Sequence, residues 1–259
     1  MDPHTYLEHS LSVLHARLKS PSQFQPPASS EAIRPFITLS RETGAGATTL
    51  GQQLVLRLNQ DFGADGQGWV FLDKDLLTQA LLHHQLPARL ADFLPEDRIA
   101  ETKAAIGEIV GLHPSLWQLE QQISEAIRQL AHVGRVIFAG RAANIVTRAL
   151  PAGLHVRLVA SLETRIARVA AALNCDRSQA FAHIEKTDLA RRRYVRSHFD
   201  QDLDDPHFYD LVLNTERVTP GATARLVIAA LHERLATLQA RQPAATAPTT
   251  IDPVAANTR

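Results

Sequence analysis

The chain has 259 residues, 45% of them hydrophobic and 21% charged, with 27 basic side chains balancing 27 acidic ones. That length and balance suit a soluble α/β domain with a substantial core, and a net charge of zero gives no attraction to nucleic acid or anionic membrane. The single cysteine, Cys175, excludes an intrachain disulfide and any multi-cysteine metal site. No apolar run reaches the ~20 residues that cross a bilayer, and Met1-Asp2-Pro3-His4 lacks a secretory layout, so a cytoplasmic location is expected.

In chain order, Tyr6, Leu7, Leu11, Leu14 and Leu18 space a short helix, and the Pro/Ser/Gln-rich stretch 21–30 reads as a linker. Residues 1–33 are therefore read as an N-terminal helix and linker, 34–240 as the folded domain, and 241–259, rich in Ala, Pro and Thr, as a disordered tail. Within the domain, strands are expected at Phe36–Ser40, Trp69–Leu72, Arg135–Ala139, Leu154–Val159 and Tyr209–Asn214. Helices are expected at Thr48–Asn59, Asp75–His83, Ser115–His132, Ala142–Leu150, Leu162–Leu173, Arg177–His198 and Pro220–Leu238. Strands alternating with helices predict a five-stranded parallel sheet covered on both faces, with ligands at the strands' carboxyl ends. The stretch from about 75 to 133 exceeds a simple crossover and is expected to hold a helical, substrate-covering insertion.

Chemistry concentrates after the first strand. Ser40-Arg41-Glu42-Thr43-Gly44-Ala45-Gly46-Ala47-Thr48-Thr49 runs from a buried strand through small residues into a helix, the layout of a backbone-amide cradle for phosphate. Gly44, Ala45, Gly46, Ala47, Thr48 and Thr49 would hold a nucleotide's phosphates, and Thr48 or Thr49 would offer a hydroxyl to Mg²⁺. Against G-x-x-x-x-G-K-[ST], Gly46 and Thr48 fit, but Arg41 stands for the first glycine and Ala47 for the lysine. The four lysines, Lys19, Lys74, Lys103 and Lys186, all lie outside the loop.

Other candidates lie on the same rim. Arg41 could give a bidentate phosphate contact or pair with Glu42. Gly140-Arg141 closes the third strand and brings Arg141 to the rim as a phosphate ligand. Asp188, Arg191, Arg192 and Val195 share a helix face, either solvated or a lid carrying arginines over a transferring phosphate. Arg165 and Arg168 point at the same region. Asp73 ends the second strand, where it could take a substrate hydroxyl, hold metal-bound water, or cap a helix. The 12 histidines show no metal-ligand spacing, and no nucleophile-elbow motif occurs.

Together and in order these pieces resemble the cytidylate kinase-like family of the nucleoside monophosphate kinase group of P-loop proteins. The resemblance runs through 37–46, Leu72-Asp73-Lys74-Asp75-Leu76-Leu77, Val136 to Asn144, 154–160, the 188–194 run and 209–215, covering about 34 to 236. It implies a P-loop NTPase-like three-layer sandwich with an insertion and a lid, and transfer of the ATP γ-phosphoryl group to CMP or dCMP with Mg²⁺. By position, Arg41, Arg141, Arg191 and Arg192 would serve catalysis, while Asp73, Arg141, Asp188 and Arg191 would hold the acceptor. The chain departs from the family pattern at Ala47, at Ala139 in place of an aspartate that organises magnesium, and at Ala142 in place of one that contacts the acceptor. A nucleotide-binding regulator without transfer, or a kinase of another small molecule, are the alternatives those departures leave. The expected partners are small-molecule nucleotides, with no nucleic acid and no membrane; the sequence sets no oligomeric state.

Overall fold

The computed structural model describes residues 33–62, 68–73 and 116–241. The N-terminal helix and linker, the Asp75–His83 helix, most of the expected insertion and the tail after 241 lie outside the described residues. Strand β1 is Phe36–Arg41, followed by helix α1, Ala47–Phe62, and strand β2, Val70–Leu72. Helix α2 (Leu116–Val133), strand β3 (Val136–Ala139), the one-turn helix α3 (Ala143–Val146) and strand β4 (Gly153–Val159) come next. Helices α4 (Leu162–Leu173) and α5 (Arg177–Phe199), strand β5 (Leu211–Asn214) and helix α6 (Pro220–Arg241) complete the order.

All pairings are parallel and the strand order is β2-β3-β1-β4-β5. The strand that leads into the phosphate-loop candidate is therefore the central one. Side chains alternate across a strand, so each face of β1 has its own company. Ile37 and Leu39 join Val156, Leu158 and Ile137 against Leu50, Leu54 and Leu58 of α1 and Val227 and Leu231 of α6. The opposite face is more polar, with the Thr38 hydroxyl 2.8 Å from His155 Nδ1 and Arg157 Nη1 donating to Ser40 Oγ at 3.1 Å. Gly51 lets α1 approach the sheet, since a Cβ there would come within 2.3 Å of the Phe71 ring. The sheet with helices on both faces is the α/β P-loop NTPase arrangement. Among the described residues, no helix is long and apolar enough to cross a membrane.

The expected strands and helices largely recur, with one informative agreement and two informative differences. Helix α4 keeps its expected limits because Ser161 caps its start, accepting from the Thr164 amide, and Asn174 ends it in the left-handed region. The helix expected over Ala142–Leu150 shrinks to Ala143–Val146, because Arg141 and Ala142 adopt left-handed backbone (φ 56° and 50°) and Thr147 leaves the helix. Tyr209 and Asp210 fall outside β5. Tyr209 donates from its hydroxyl to the Leu203 carbonyl at 2.8 Å, and Asp210 accepts from the His155 amide at 2.7 Å.

Candidate active site

The loop between β1 and α1 owes its shape to groups far away in sequence. Thr43 donates its amide (2.9 Å) and its hydroxyl (2.7 Å) to one oxygen of Asp188, on α5. The same carboxylate takes Arg165 Nη1 and Arg191 Nη1, each at 2.8 Å. Glu42 accepts from the Ala160 amide at 3.0 Å and lies 3.5 Å from Arg165 Nε. Glu42, weighed above as a partner for Arg41, lies within ion-pair distance of Arg165.

The loop's carbonyls are pinned outward. Arg165 Nη1 donates to the Thr43 carbonyl at 3.4 Å, Arg168 Nη1 to that of Gly44 at 3.3 Å, and Thr215 Oγ1 to that of Ala45 at 2.9 Å. In a trans peptide the C=O and the following N–H point in opposite directions. Fixing the Gly44 and Ala45 oxygens outside therefore turns the next amides inward. Ala45 N–H closes on the Glu42 carbonyl at 3.1 Å, while the amides of Gly44, Gly46, Ala47, Thr48 and Thr49 have no partner among the described residues. Helix α1 has no acidic residue in its first turn, so its positive end is not neutralised there. These groups face an open groove of about 570 Å³. Such a grouping of amides at a helix N-terminus binds a phosphate-type anion.

Gly44 and Gly46 both take positive φ, 84° and 86°. Gly44 is also crowded, because a Cβ there would lie 2.8 Å from the Arg165 carbonyl oxygen. Ala47 turns inward, 7% exposed and packed in the core beneath the loop. The rest of the groove is lined by Arg168, Val169, Ala172 and Leu173 of α4, His183 of α5, and Val218, Pro220 and Thr223 before and on α6. Thr219 caps α6, accepting from the Ala222 amide at 3.3 Å.

A second, smaller cavity of about 20 Å³ lies on the other side of the loop's entry strand, lined by Ser40, Arg41, Arg141, Asn144, Arg191 and Tyr194 among others. Arg41 and Arg191 line both cavities. Arg141 reaches the rim through a backbone turn in which Gly140, Arg141 and Ala142 all have positive φ. Two successive non-glycine residues in that region carry strain, a pattern that concentrates at functional sites.

The structure thus gathers Arg41, Gly44 to Thr49, Arg141 and Arg191 at the expected rim. It separates two others from it. Asp188, expected to touch the acceptor, is 8% exposed with both oxygens engaged by Thr43, Arg165 and Arg191, so it shapes the loop. Arg192 turns the other way, donating from Nε to Asp204 at 3.0 Å, a bond that raises its pKa further. Asp73 follows β2 and is half-buried, and the helix it was expected to cap lies outside the described residues. Arg165 and Arg168, expected to point at this region, hold the loop's carbonyls, and Arg168 also lines the groove. Sequence inspection missed Asn144, Thr215 and Tyr194. No group of three or more His, Cys, Asp or Glu residues able to hold a metal occurs among the described residues.

Comparison with known proteins gives the family. The sequence pattern of the cytidylate kinase-like family matches residues 36–217. A cytidylate kinase of Pyrobaculum aerophilum is 26% identical over 192 residues, 73% of this chain and 89% of that protein. One of Methanocorpusculum labreanum is 28% identical over 200 residues, 77% of this chain and 97% of that protein. The crystal structure of an uncharacterized protein from Eubacterium ventriosum superposes with a TM-score of 0.55 at 16% identity, covering 77% of this chain and 99% of the other, a likeness of fold alone. With its pattern matched from the first residue of β1 to just past β5, the chain belongs to the cytidylate kinase-like family.

Proposed function

We propose that this protein transfers the γ-phosphoryl group of ATP to the phosphate of a nucleoside monophosphate, CMP or dCMP in the first instance. One observation carries this reading: Arg41 and Arg191 line both the groove at the inward amides of the 43–49 loop and the smaller, arginine-lined cavity. Phosphoryl transfer needs two anions brought end to end with their charge neutralised, and little covalent chemistry from the protein. The loop amides would hold the donor phosphates, and the apolar surfaces of Val169, Leu173, Val218 and Pro220 offer a slot for the donor base. Arg141 would hold the acceptor phosphate, while Arg41 and Arg191 reach the group in transit.

Ala47 cannot supply the cation that the usual loop lysine gives, and its burial directs that position into the core. Arg41, at the mouth of the loop, supplies that charge. The exposed hydroxyls of Thr48 and Thr49 line the groove and suit the one or two protein contacts that a nucleotide-borne Mg²⁺ takes. Bound there, Mg²⁺ would neutralise charge on the donor phosphates. Asp188, Arg165 and Arg168 act as positioning residues through the loop.

The inward-packed Ala47 also favours a second reading, a nucleotide-binding regulator that transfers nothing. The two are separated by incubating the purified full chain with Mg-ATP and a panel of nucleoside monophosphates, following ADP release alongside ATP binding. Acceptor-dependent ADP release with CMP or dCMP is expected. ATP binding without turnover on any acceptor overturns the transfer reading, and turnover only on a non-nucleotide phosphate moves the acceptor class.

A further inference from the structure

Asn144 is the second residue of α3, directly after the left-handed turn at Gly140, Arg141 and Ala142. That turn packs it into the protein, 4% exposed, where it lines the smaller cavity beside Ser40, Arg41, Arg141 and Arg191. Its carboxamide Nδ2 is buried with no hydrogen-bond partner among the described residues. Buried donors in native proteins are nearly always paired with protein or water, so an orphan on a cavity wall is open to a partner from outside the chain. Ser40 does not satisfy it: its hydroxyl lies between Arg157 Nη1 and Tyr209 Oη, each at 3.1 Å, and makes no bond to Asn144.

The cavity's volume of about 20 Å³ admits one oxygen-sized group. Among the described residues, its wall holds three guanidiniums and no carboxylate. A sugar hydroxyl needs an acceptor for its own proton and a basic amine needs a negative partner, and this wall favours neither. An oxygen carrying negative charge matches a donor amide set among guanidiniums.

We propose that Asn144 is a specificity-determining residue, donating Nδ2–H to a phosphate oxygen of the acceptor and so selecting acceptors that already bear phosphate. The assignment rests on the reading above that the smaller cavity takes the acceptor. It gives the neutral amide at 144 the role of discriminating a monophosphate from its free nucleoside.

The test uses the full chain labelled with ¹⁵N at asparagine, without ATP. The side-chain amide signal of Asn144 is identified by its loss in Asn144→Asp, or in Asn144→Ser where the first variant does not fold. Titration of the unmodified protein with CMP and with inorganic phosphate should shift that signal, and titration with cytidine should not. Asn144→Asp, placing a carboxylate before the anion, should weaken CMP binding by about 10- to 100-fold and leave ATP binding unchanged. A signal indifferent to CMP and phosphate, or responding equally to cytidine, overturns the proposal. Because none of these readings needs turnover, a shifted Asn144 signal with no phosphoryl transfer removes only the proposed activity. Transfer with an indifferent Asn144 removes only the assignment of this residue.

Discussion

Asp188 and Thr43 are 145 residues apart in the chain, yet one carboxylate oxygen receives both the amide and the hydroxyl of the threonine. The same carboxylate lies between Arg165 and Arg191, with all three side chains largely shielded from water. Removing it leaves two guanidiniums facing each other without their counter-charge, the costly way to break a buried pair. Asp188→Ala should lower unfolding free energy by about 3–5 kcal/mol, and ATP binding should weaken with it. Denaturant titration beside nucleotide calorimetry checks this; unchanged values in both would show that the loop holds its form without Asp188.

Arg41 serves a different end. It borders both cavities, while the contacts that brace the loop come from Asp188, Arg165, Arg168 and Thr215. Arg41→Ala should lower acceptor-dependent ADP release by at least about 100-fold, the scale of a lost charge-stabilising donor, in samples whose circular dichroism shows them folded. Steady-state rates at the original level would remove Arg41 from the mechanism.

The two loop glycines should differ in what they tolerate. At Gly46 nothing lies within 4 Å of where a methyl group would sit, so Gly46→Ala carries only the penalty of its φ of 86°, about 1–2 kcal/mol. Gly44→Ala adds a clash with the Arg165 main chain at 2.8 Å, beside the Asp188 network. It should cost more stability and impair nucleotide binding more than Gly46→Ala. Equal losses in a paired comparison of melting temperature and ATP affinity would contradict the close approach.

His155 sets a pH dependence remote from the loop. It is 6% exposed, next to Thr38 and Phe36, with Asp210, Arg234 and Arg148 supplying the surrounding charge. Burial, only partly opposed by Asp210, lowers its pKa from 6.5 to about 4. The unfolded chain then binds a proton between those values that the folded chain does not, so stability falls as the pH drops from 6.5 towards 4. The loss attributable to this ring is on the order of 3 kcal/mol. His155→Gln should flatten the melting temperature over that interval relative to the unmodified protein, and parallel pH curves would rule the ring out.

Much of the framework was legible because its signals are local. Leu50, Leu54 and Leu58 declare one face of α1, and Ser161 and Asn174 bracket α4. Gly140 announces a turn, but its continuation through Arg141 and Ala142 was not legible, because alanine is the strongest helix former. In the site, residue types and rim position gave the gathering of Arg41, Arg141 and Arg191 with the glycine loop. The duties of Asp188, Arg165 and Arg168 depend on contacts across more than 100 residues that no spacing rule encodes. One clue did exist: Asp188 extends the row Ala180, Ile184 on α5, a carboxylate in an otherwise apolar stripe. A charge so placed must find partners inside the protein.

The order in which a ribosome delivers this chain gives the loop's props a temporal meaning. The glycine turn is complete by residue 50, but the groups that brace it are Ala160, Arg165, Arg168, Asp188 and Thr215. A nascent fragment ending before α4 owns the loop's letters without Arg165, Arg168, Asp188 and Thr215, and so without its outline. Anion capture by the emerging polypeptide thus marks the moment when the stretch from α4 to just past β5 has docked.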